Sequence, residues 1–194
     1  HSSRLTSSFE ILKGFDHPNI VKIIDFIDCS GQPCLVMEDT QSIDLWEYVD
    51  TFEHKKLPVE TVLNIAIQLA DALSVIHHAQ VIHKDLHPGN VVINPSSLNV
   101  QIIDFGLATL LSREQPAQAP PENLEGVLAY ISPEQTGRMN RSLDYRSDFY
   151  TLGVTLYLLL TGELPFDADD AIGLVHAHIA RVQLPVCERC PEVP

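Results

Sequence analysis

The stretch from Phe149 to Leu160 is apolar on nearly every face of a helical projection. A helix on the surface of a domain has one apolar stripe, whereas a helix that is apolar all round is buried. A fold that contains this segment must surround it, so we predict a domain built around one central helix. Gly162 can end that helix, because glycine tolerates the left-handed conformation found at helix C-termini.

The chain before the central helix predicts alternating helices and strands. Apolar positions at helical spacing predict a helix over Ser7–Phe15, which the sequence DHPN ends. Two β-branched runs, Ile20–Asp28 and Cys34–Glu38, flank the turn-like sequence SGQP and predict a β-hairpin in which Cys29 and Cys34 face each other. The other predicted elements are a short helix at Asp44–Val49, a long helix after Pro58, strands within Val81–Asn94 and Val100–Asp104, a proline-rich loop at Glu114–Asn123 and a helix at Asp169–Arg181.

The net charge of −14 at pH 7 argues against two classes of partner. Because so negative a surface repels phosphate groups, we expect binding neither to nucleic acid nor to anionic membranes. The longest nearly unbroken apolar run, Leu152–Leu160, is shorter than the roughly 20 residues of a membrane span, so we expect no membrane segment.

Four cysteines are too few for a disulfide scaffold and favour a reducing, cytoplasmic setting. Cys187 and Cys190 form one CxxC pair, which is either half of a metal or redox site or a chance spacing.

Several polar motifs follow one another in order along the chain. HKDLHPGN occupies residues 83–90, IIDFG residues 102–106 and SPE residues 132–134, and RSDFYTLG and TGELPF come after them. A lone DFG recurs by chance, whereas this order and spacing do not. The sequence resembles the catalytic lobe of eukaryotic-type serine/threonine protein kinases, whose signature is an HRDLxxxxN loop followed by DFG and APE.

The resemblance implies an α+β, protein-kinase-like fold. Residues 1–40 are expected to be a remnant of the small lobe and the hinge, formed by the first helix and the β-hairpin. Residues 41–194 are expected to be a mainly helical large lobe that lacks its last helices. The chain begins with His and has no GxGxxG loop. We therefore expect a fragment of a longer protein, without appreciable kinase activity of its own.

The resemblance also assigns roles to polar residues, with ATP and Mg²⁺ as the cofactors. Asp85 matches the aspartate that orients or deprotonates the substrate hydroxyl, and Asn90 and Asp104 match the two Mg²⁺ ligands. Phosphoryl transfer needs little covalent help from the protein, so catalysis consists of positioning the hydroxyl and neutralising charge. Gly106 lets the backbone turn sharply behind Asp104.

The resemblance predicts further contacts around the nucleotide and the loop. Met37, Glu38 and Thr40 fall at the hinge that contacts adenine in kinases, with Met37 at the back of the pocket. Asp148 matches an aspartate that accepts hydrogen bonds from the catalytic-loop backbone, and capping of the central helix is the alternative role. We expect His83 to pack beneath the loop rather than to act as an acid or a base.

Some positions depart from the kinase pattern. The helix glutamate that pairs with a strand lysine in kinases falls at Ser8. Lys84 replaces the arginine of HRD and lacks its bidentate fork, and His87 replaces a phosphate-contacting lysine. We retain Lys84 and His87 as catalytic-loop candidates. Val127 replaces a threonine, and Glu134 is expected to lack the arginine that pairs with it in kinases.

The implied function is transfer of the ATP γ-phosphate to Ser or Thr hydroxyls of a protein substrate. Residues 124–157 resemble kinase domains at the N-terminus of large bacterial signalling proteins, which implies covalently linked ATPase, GAF and sensor histidine kinase domains. Two alternatives stay open. Ser8, His87 and Val127 favour a pseudokinase that relays a signal, and the catalytic-loop sequence also resembles small-molecule phosphotransferases, which SPE and TGELPF oppose.

Overall fold

A computed structural model describes residues 2–113, 127–139 and 141–193 of the chain, and the loop predicted at Glu114–Asn123 lies outside them. The first elements are helix α1 (Ser2–Leu12) and the antiparallel hairpin of β1 (Ile23–Cys29) and β2 (Gln32–Met37). Phe9 of α1 stacks on Phe26 of β1, with ring centroids 5.2 Å apart. The helix begins at Ser2, earlier than predicted. The prediction started late because the first turn has serine and arginine, and the periodic apolar residues begin only after it.

The hairpin turn is tighter than the predicted SGQP turn. Only Ser30 and Gly31 lie between the strands, and both have positive φ values, 59° and 84°, as a two-residue type I′ turn requires. In the resulting register Cys29 pairs with Gln32 and Ile27 pairs with Cys34. Cys29 and Cys34 are therefore diagonal neighbours rather than a directly opposed pair, although their thiols are in hydrogen-bond contact.

The remaining elements include two long helices, α3 (Val59–His78) and α4 (Arg146–Thr161), and the shorter helices and strands that pack around them. These shorter elements are β3 (Ile43–Asp44), α2 (Leu45–Asp50), β4 (Val81–Ile82), β5 (Val91–Ile93), β6 (Val100–Ile102), β7 (Thr109–Leu110), α5 (Ala171–Ala180) and α6 (Val186–Arg189). Strands β3, β5 and β6 form one antiparallel sheet in that order, and β4 pairs with β7. The β4–β7 pairing joins the strand before the catalytic-loop motif to the strand after DFG, and the β5–β6 pairing joins the strand after the motif to the strand before DFG.

The predicted central helix is α4, and most of it is buried. Its buried side carries Leu152 and Leu159 of the main core together with the polar residues Asp148 and Thr155. Phe149 remains about half exposed, so the described residues do not surround α4 completely. Gly162 ends the helix as predicted, with φ 74° and its N–H bonded to the Leu158 carbonyl.

Helix α3 has the length and the hydropathy of a membrane span, and it is the one such helix among the described residues. The prediction from unbroken apolar runs overlooked it, because polar residues interrupt its apolar positions. A core helix of a globular domain meets the same two criteria. The core-facing stripe of α3 is buried and consists of Val62, Ile65, Leu69, Ala72, Leu73 and Ile76.

Candidate active site

The HKDLHPGN motif forms a loop between β4 and β5 that folds Asn90 back onto Asp85. Residues Pro88–Asn90 form a 3₁₀ turn. From this turn the Asn90 Nδ2 group donates to the Asp85 backbone oxygen at 2.8 Å and to Asp85 Oδ2 at 2.9 Å. Because Nδ2 faces Asp85, the amide oxygen of Asn90 points away from Asp85 and is placed to act as a ligand.

Asp148 holds the start of this loop. Its carboxylate accepts the backbone N–H of His83 at 2.9 Å and that of Lys84 at 2.7 Å. Asp148 lies in the first turn of α4, not before the helix as predicted, and is fully buried. It does not cap α4, which begins after Tyr145 without a side-chain cap. The predicted contact with the loop backbone is therefore confirmed, and capping is excluded.

His83 packs beneath the loop as predicted. Its ring meets the Phe105 ring edge to face, with centroids 4.7 Å apart, and the residue is fully buried. The backbone N–H of Asp85 donates to Nδ1 at 3.3 Å, which leaves Nε2 to donate to the Ile103 carbonyl at 3.3 Å. Burial lowers the pKa of His83, so the neutral ring joins the catalytic loop to the DFG segment.

The DFG aspartate, Asp104, lies on the same side of the fold as Asp85. The Ile103 N–H donates to the Asn90 carbonyl at 2.9 Å, which ties the residue before Asp104 to the end of the loop. Burial raises the pKa of Asp85, and the charge of Asp104 raises it further, whereas His87 and His83 lower it. The Asp104 charge is the smallest of these causes, and it acts in the direction expected for a second carboxylate near Asp85.

The backbone at Asp104 is held in a left-handed conformation, with φ 53°. Its Oδ1 atom accepts the Gly106 N–H at 2.8 Å, and a Cβ atom at Gly106 would lie 2.8 Å from that oxygen. Only a residue without a side chain leaves this carboxylate undisturbed. Sparsely populated backbone conformations concentrate at functional sites, and Lys84 in the catalytic loop also has a positive φ, 71°.

One oxygen of Asp85 remains unpaired. Asp85 Oδ1 is buried and has no hydrogen-bond partner among the described residues. The nearest cationic candidate is His87, whose Nε2 lies 3.6 Å away. Because His87 Nδ1 accepts the Gly89 N–H at 3.1 Å, the proton of the neutral ring is on Nε2, which faces Asp85. At 3.6 Å this contact is too long for a hydrogen bond, so Asp85 Oδ1 keeps an acceptor position for a substrate donor.

The SPE segment contacts the loop through a residue that sequence reasoning missed. Gln135 Nε2 donates to the Lys84 carbonyl at 2.8 Å, and Gln135 Oε1 accepts from the Ser132 N–H and hydroxyl. The spacing of Ser132 and Gln135 is that of a capping box, so this signal was available. Glu134 accepts a hydrogen bond from Ser147 Oγ at 2.8 Å.

His77 is a second residue that sequence reasoning missed. Its Nε2 atom lies 2.8 Å from Asp148 Oδ2, and no motif in the sequence points to this contact.

The predicted adenine-contacting residues lie at the end of the hairpin. Met37 is the last residue of β2 and is exposed, and the Glu38 N–H continues the strand pairing by donating to the Lys22 carbonyl at 3.0 Å. Thr40 Oγ1 bonds to Gln101 Oε1 at 3.2 Å, next to β6. These three assignments stay predictions.

The positions that depart from the kinase pattern have other contacts. Ser8 is buried in α1, and nearby Glu10 forms an exposed ion pair with Lys13. At the other end of the chain Cys187 is exposed and Cys190 is buried, and both are free thiols. The described residues contain no group of three or more His, Cys, Asp or Glu side chains suited to a metal ion.

The residues present fit Mg²⁺. This ion prefers oxygen ligands and takes only one or two carboxylates from the protein, with water and phosphate oxygens completing its octahedral shell. Asp104 would supply one carboxylate and Asn90 an amide oxygen from the adjoining backbone segment. The unpaired Asp85 Oδ1 lies beside them and is not needed as a ligand.

The comparisons with known proteins agree with this geometry. A family described as "Protein kinase domain" matches residues 1–191. The chain is 34% identical to "Probable serine/threonine-protein kinase PknB" of Lactococcus lactis over 92% of its length, and 34% identical to "Serine/threonine-protein kinase PrkC" of Bacillus subtilis over 92%. It is 33% identical to "Serine/threonine-protein kinase pkn2" of Myxococcus xanthus over 98%.

The chain spans about a quarter of the length of these relatives: 27%, 26% and 23% in the order named. The match nevertheless covers nearly all of the present sequence, and it includes the catalytic loop, the DFG segment and the SPE segment. The α+β architecture, with a partial set of small-lobe elements and a mainly helical remainder, is that of the family. The chain therefore belongs to the protein kinase domain family.

Proposed function

We propose that the protein containing this chain transfers the γ-phosphate of ATP to Ser or Thr hydroxyls of a protein substrate. The observation that carries this proposal is the buried, unpaired Asp85 Oδ1, held at the end of a loop that Asp148 fixes. A substrate hydroxyl that donates to this oxygen gains the hydrogen bond that the carboxylate lacks, and its own oxygen is then oriented for attack.

Asn90 and Asp104 are the proposed Mg²⁺ ligands. When bound with ATP, Mg²⁺ supplies charge neutralisation at the phosphate oxygens. The chain's own contribution is to hold Asp104 through Gly106 and to hold Asn90 through Asp85. Met37, Glu38 and Thr40 are proposed to line the adenine side of the site, at the junction between residues 1–40 and residues 41–194, which we propose as the two lobes.

His87 and Lys84 are proposed to assist at the phosphate side of the loop. The Nε2 atom of His87 lies 3.6 Å from Asp85 Oδ1, so an imidazole stands where many kinases have a fixed cation. We therefore propose that this site relies on Mg²⁺ for charge neutralisation more than a lysine-containing site does.

The setting of the domain is also part of the proposal. Residues 124–157 resemble kinase domains followed by ATPase, GAF and sensor histidine kinase domains, which supports a role beside a two-component system. The four free thiols support a cytoplasmic location. Ser8 and His87 are the observations that favour the second candidate, a pseudokinase that relays a conformational signal.

The test is the substitution Asp104→Ala in the full-length protein, assayed with γ-labelled ATP and a protein acceptor. We expect label transfer to be lost while the circular dichroism spectrum and the thermal midpoint stay close to wild type. Asp50→Ala, which removes an exposed carboxylate paired with Lys55, is the matched control and should retain activity. Equal transfer by the Asp104→Ala variant would remove the assigned role. No transfer by the wild-type protein with any acceptor would favour the pseudokinase.

A further inference from the structure

Cys187 and Cys190 are held one helical turn apart at the end of the described chain. The Cys190 N–H donates to the Val186 carbonyl at 2.7 Å, so the helical bonding of α6 extends through Cys190. In a helix, Cα atoms three residues apart are separated by about 5 Å, which lies within the range of about 4.4–6.8 Å found for disulfides. The Cα spacing of the two cysteines is therefore compatible with a disulfide.

Only a local adjustment separates this geometry from that of a disulfide. Helical Cβ atoms at this spacing are about 5–6 Å apart, whereas disulfide Cβ atoms are about 3.5–4.5 Å apart. Cys190 is the C-cap residue of α6, and its φ of −133° and ψ of 86° are no longer helical. A rotation at this residue can bring the sulfur atoms together without unwinding a longer element.

The two thiols differ in exposure. Cys187 is exposed to solvent, whereas Cys190 is buried, with its Sγ atom 3.9 Å from Lys56 Nζ. The neighbouring Arg189 holds α6 in place, because it pairs with Glu163 and lies over the Tyr157 ring. The Cys187 thiol is therefore accessible to a reagent in solution, whereas the Cys190 thiol is shielded from solvent.

The chain contains a second pair of cysteines that serves as an internal comparison. Cys29 and Cys34 are diagonal neighbours on the β1–β2 hairpin. Diagonal Cα atoms in an antiparallel pair are about 7–8 Å apart, beyond the limit of about 7 Å for a disulfide without backbone movement. The side chains of Cys29 and Cys34 nevertheless contact each other, and this hydrogen bond is the main cause that raises the pKa of Cys34. The second pair is therefore followed in the same experiment, without an expected order of rates.

We propose that Cys187 and Cys190 form a dithiol that hydrogen peroxide oxidises to a disulfide. The Cys187 thiolate attacks one peroxide oxygen, an S–O bond forms and the O–O bond breaks, which yields a sulfenic acid and hydroxide. The Cys190 thiolate then attacks the Cys187 sulfur, an S–S bond forms and the S–O bond breaks to release a second hydroxide. The two hydroxides take up the two thiol protons, so two thiols and one peroxide become one disulfide and two waters.

The site is independent of the phosphoryl-transfer proposal. Its sulfur atoms are at the end of α4 remote from Asp148, on a segment that contacts Lys56 and Glu163 rather than the catalytic loop. The oxidation can therefore be tested without an activity assay.

The test uses the 194-residue chain, treated with a small excess of hydrogen peroxide, unfolded, alkylated with N-ethylmaleimide and analysed by peptide mass. We expect the peptide containing residues 187–190 to lose two hydrogen atoms and to escape alkylation. Cys187→Ser should abolish the disulfide, and because the residue is exposed this variant should fold.

Cys190→Ser should leave Cys187 as a sulfenic acid that dimedone traps, since the second thiol is missing. Three results would overturn the proposal. In the first, both cysteines of the pair remain fully alkylated after peroxide. In the second, Cys187 proceeds to sulfinic acid while Cys190 stays a free thiol. In the third, Cys187 or Cys190 forms its disulfide with Cys29 or Cys34 instead.

Discussion

Asp148 accepts the backbone N–H of Lys84 at 2.7 Å across a separation of 64 residues. The same carboxylate accepts the N–H of His83, and the His77 ring lies 2.8 Å from it. Lys84 has a positive φ, which is unfavourable for a residue with a side chain. The buried carboxylate of α4 thus stabilises a loop conformation that the local backbone preference opposes.

Replacing Asp148 with Asn should lower both stability and activity. An amide has the same shape but one acceptor fewer, so a buried N–H of the loop loses its partner at a cost of about 1–3 kcal/mol in the free energy of unfolding. Urea denaturation measures this loss. Asp144→Asn removes the charge of a surface pair with Arg146 but keeps an oxygen for the Arg146 backbone N–H, so it should cost less than about 1 kcal/mol. Equal losses in the two variants would contradict the role of Asp148.

Asp85→Asn should strongly reduce phosphate transfer and yet stabilise the fold. Burial raises the pKa of Asp85, so its ionised form at pH 7 opposes folding. The amide removes that charge, and its oxygen can still accept from Asn90. We expect a higher free energy of unfolding at pH 7, with transfer by the full-length protein reduced about 10²–10⁴-fold. A variant that is both active and less stable would show that the carboxylate serves the fold instead.

Gly106→Ala should impair the Mg²⁺ site specifically. The added Cβ atom would lie 2.8 Å from Asp104 Oδ1, so the carboxylate must move. We expect the Mg²⁺ concentration needed for half-maximal transfer by the full-length protein to rise. Gly153→Ala in α4 is the matched control, because its Cβ atom meets nothing within 4 Å, and it should stabilise the helix by about 0.5–1 kcal/mol. An unchanged Mg²⁺ requirement in Gly106→Ala would count against Asp104 as a ligand.

Stability should fall as the pH falls below about 6.5, the ordinary pKa of histidine. Burial lowers the pKa of His178, whose Nδ1 bonds to the Tyr150 hydroxyl. The unfolded chain therefore binds a proton more readily than the folded chain, and stability present above this pH is lost below it. His178→Asn places a polar atom near the Nδ1 position but cannot take up the proton. It should flatten the dependence of unfolding free energy between pH 7 and pH 5.

The exposed His176 provides the control for that measurement, since His176→Asn should leave the pH dependence unchanged. His83 contributes in the same direction, because burial lowers its pKa as well. The slope should therefore decrease in His178→Asn rather than vanish, and an unchanged slope would refute the assignment to His178.

The long helices and the motif residues could be predicted from the sequence. The apolar pattern of α4 and the glycine at its end are local signals, and so are the turn residues that place Asn90 near Asp85. The hairpin register could not be predicted, because it depends on whether Gln32 and Pro33 join the turn or the strand, and both fit the SGQP sequence.

The supporting contacts of the site were also beyond the sequence. His77 of α3 contacts Asp148, which is 71 residues away along the chain. Gln135 of the SPE segment contacts Lys84 of the catalytic loop, which is 51 residues away. No local sequence pattern predicts contacts between residues so far apart along the chain. The unpaired oxygen of Asp85 likewise results from the burial of the whole loop and has no counterpart in a motif.

The most direct test is paramagnetic relaxation by Mn²⁺ in the presence of ATP, measured by NMR on the 194-residue chain. Mn²⁺ takes the oxygen ligands proposed for Mg²⁺ and broadens nearby resonances. The account predicts that the amide signals of Asp85, Asn90 and Asp104 broaden together while those of α6 stay sharp. Broadening at only one of these three residues, or at none, would contradict a shared metal–nucleotide site.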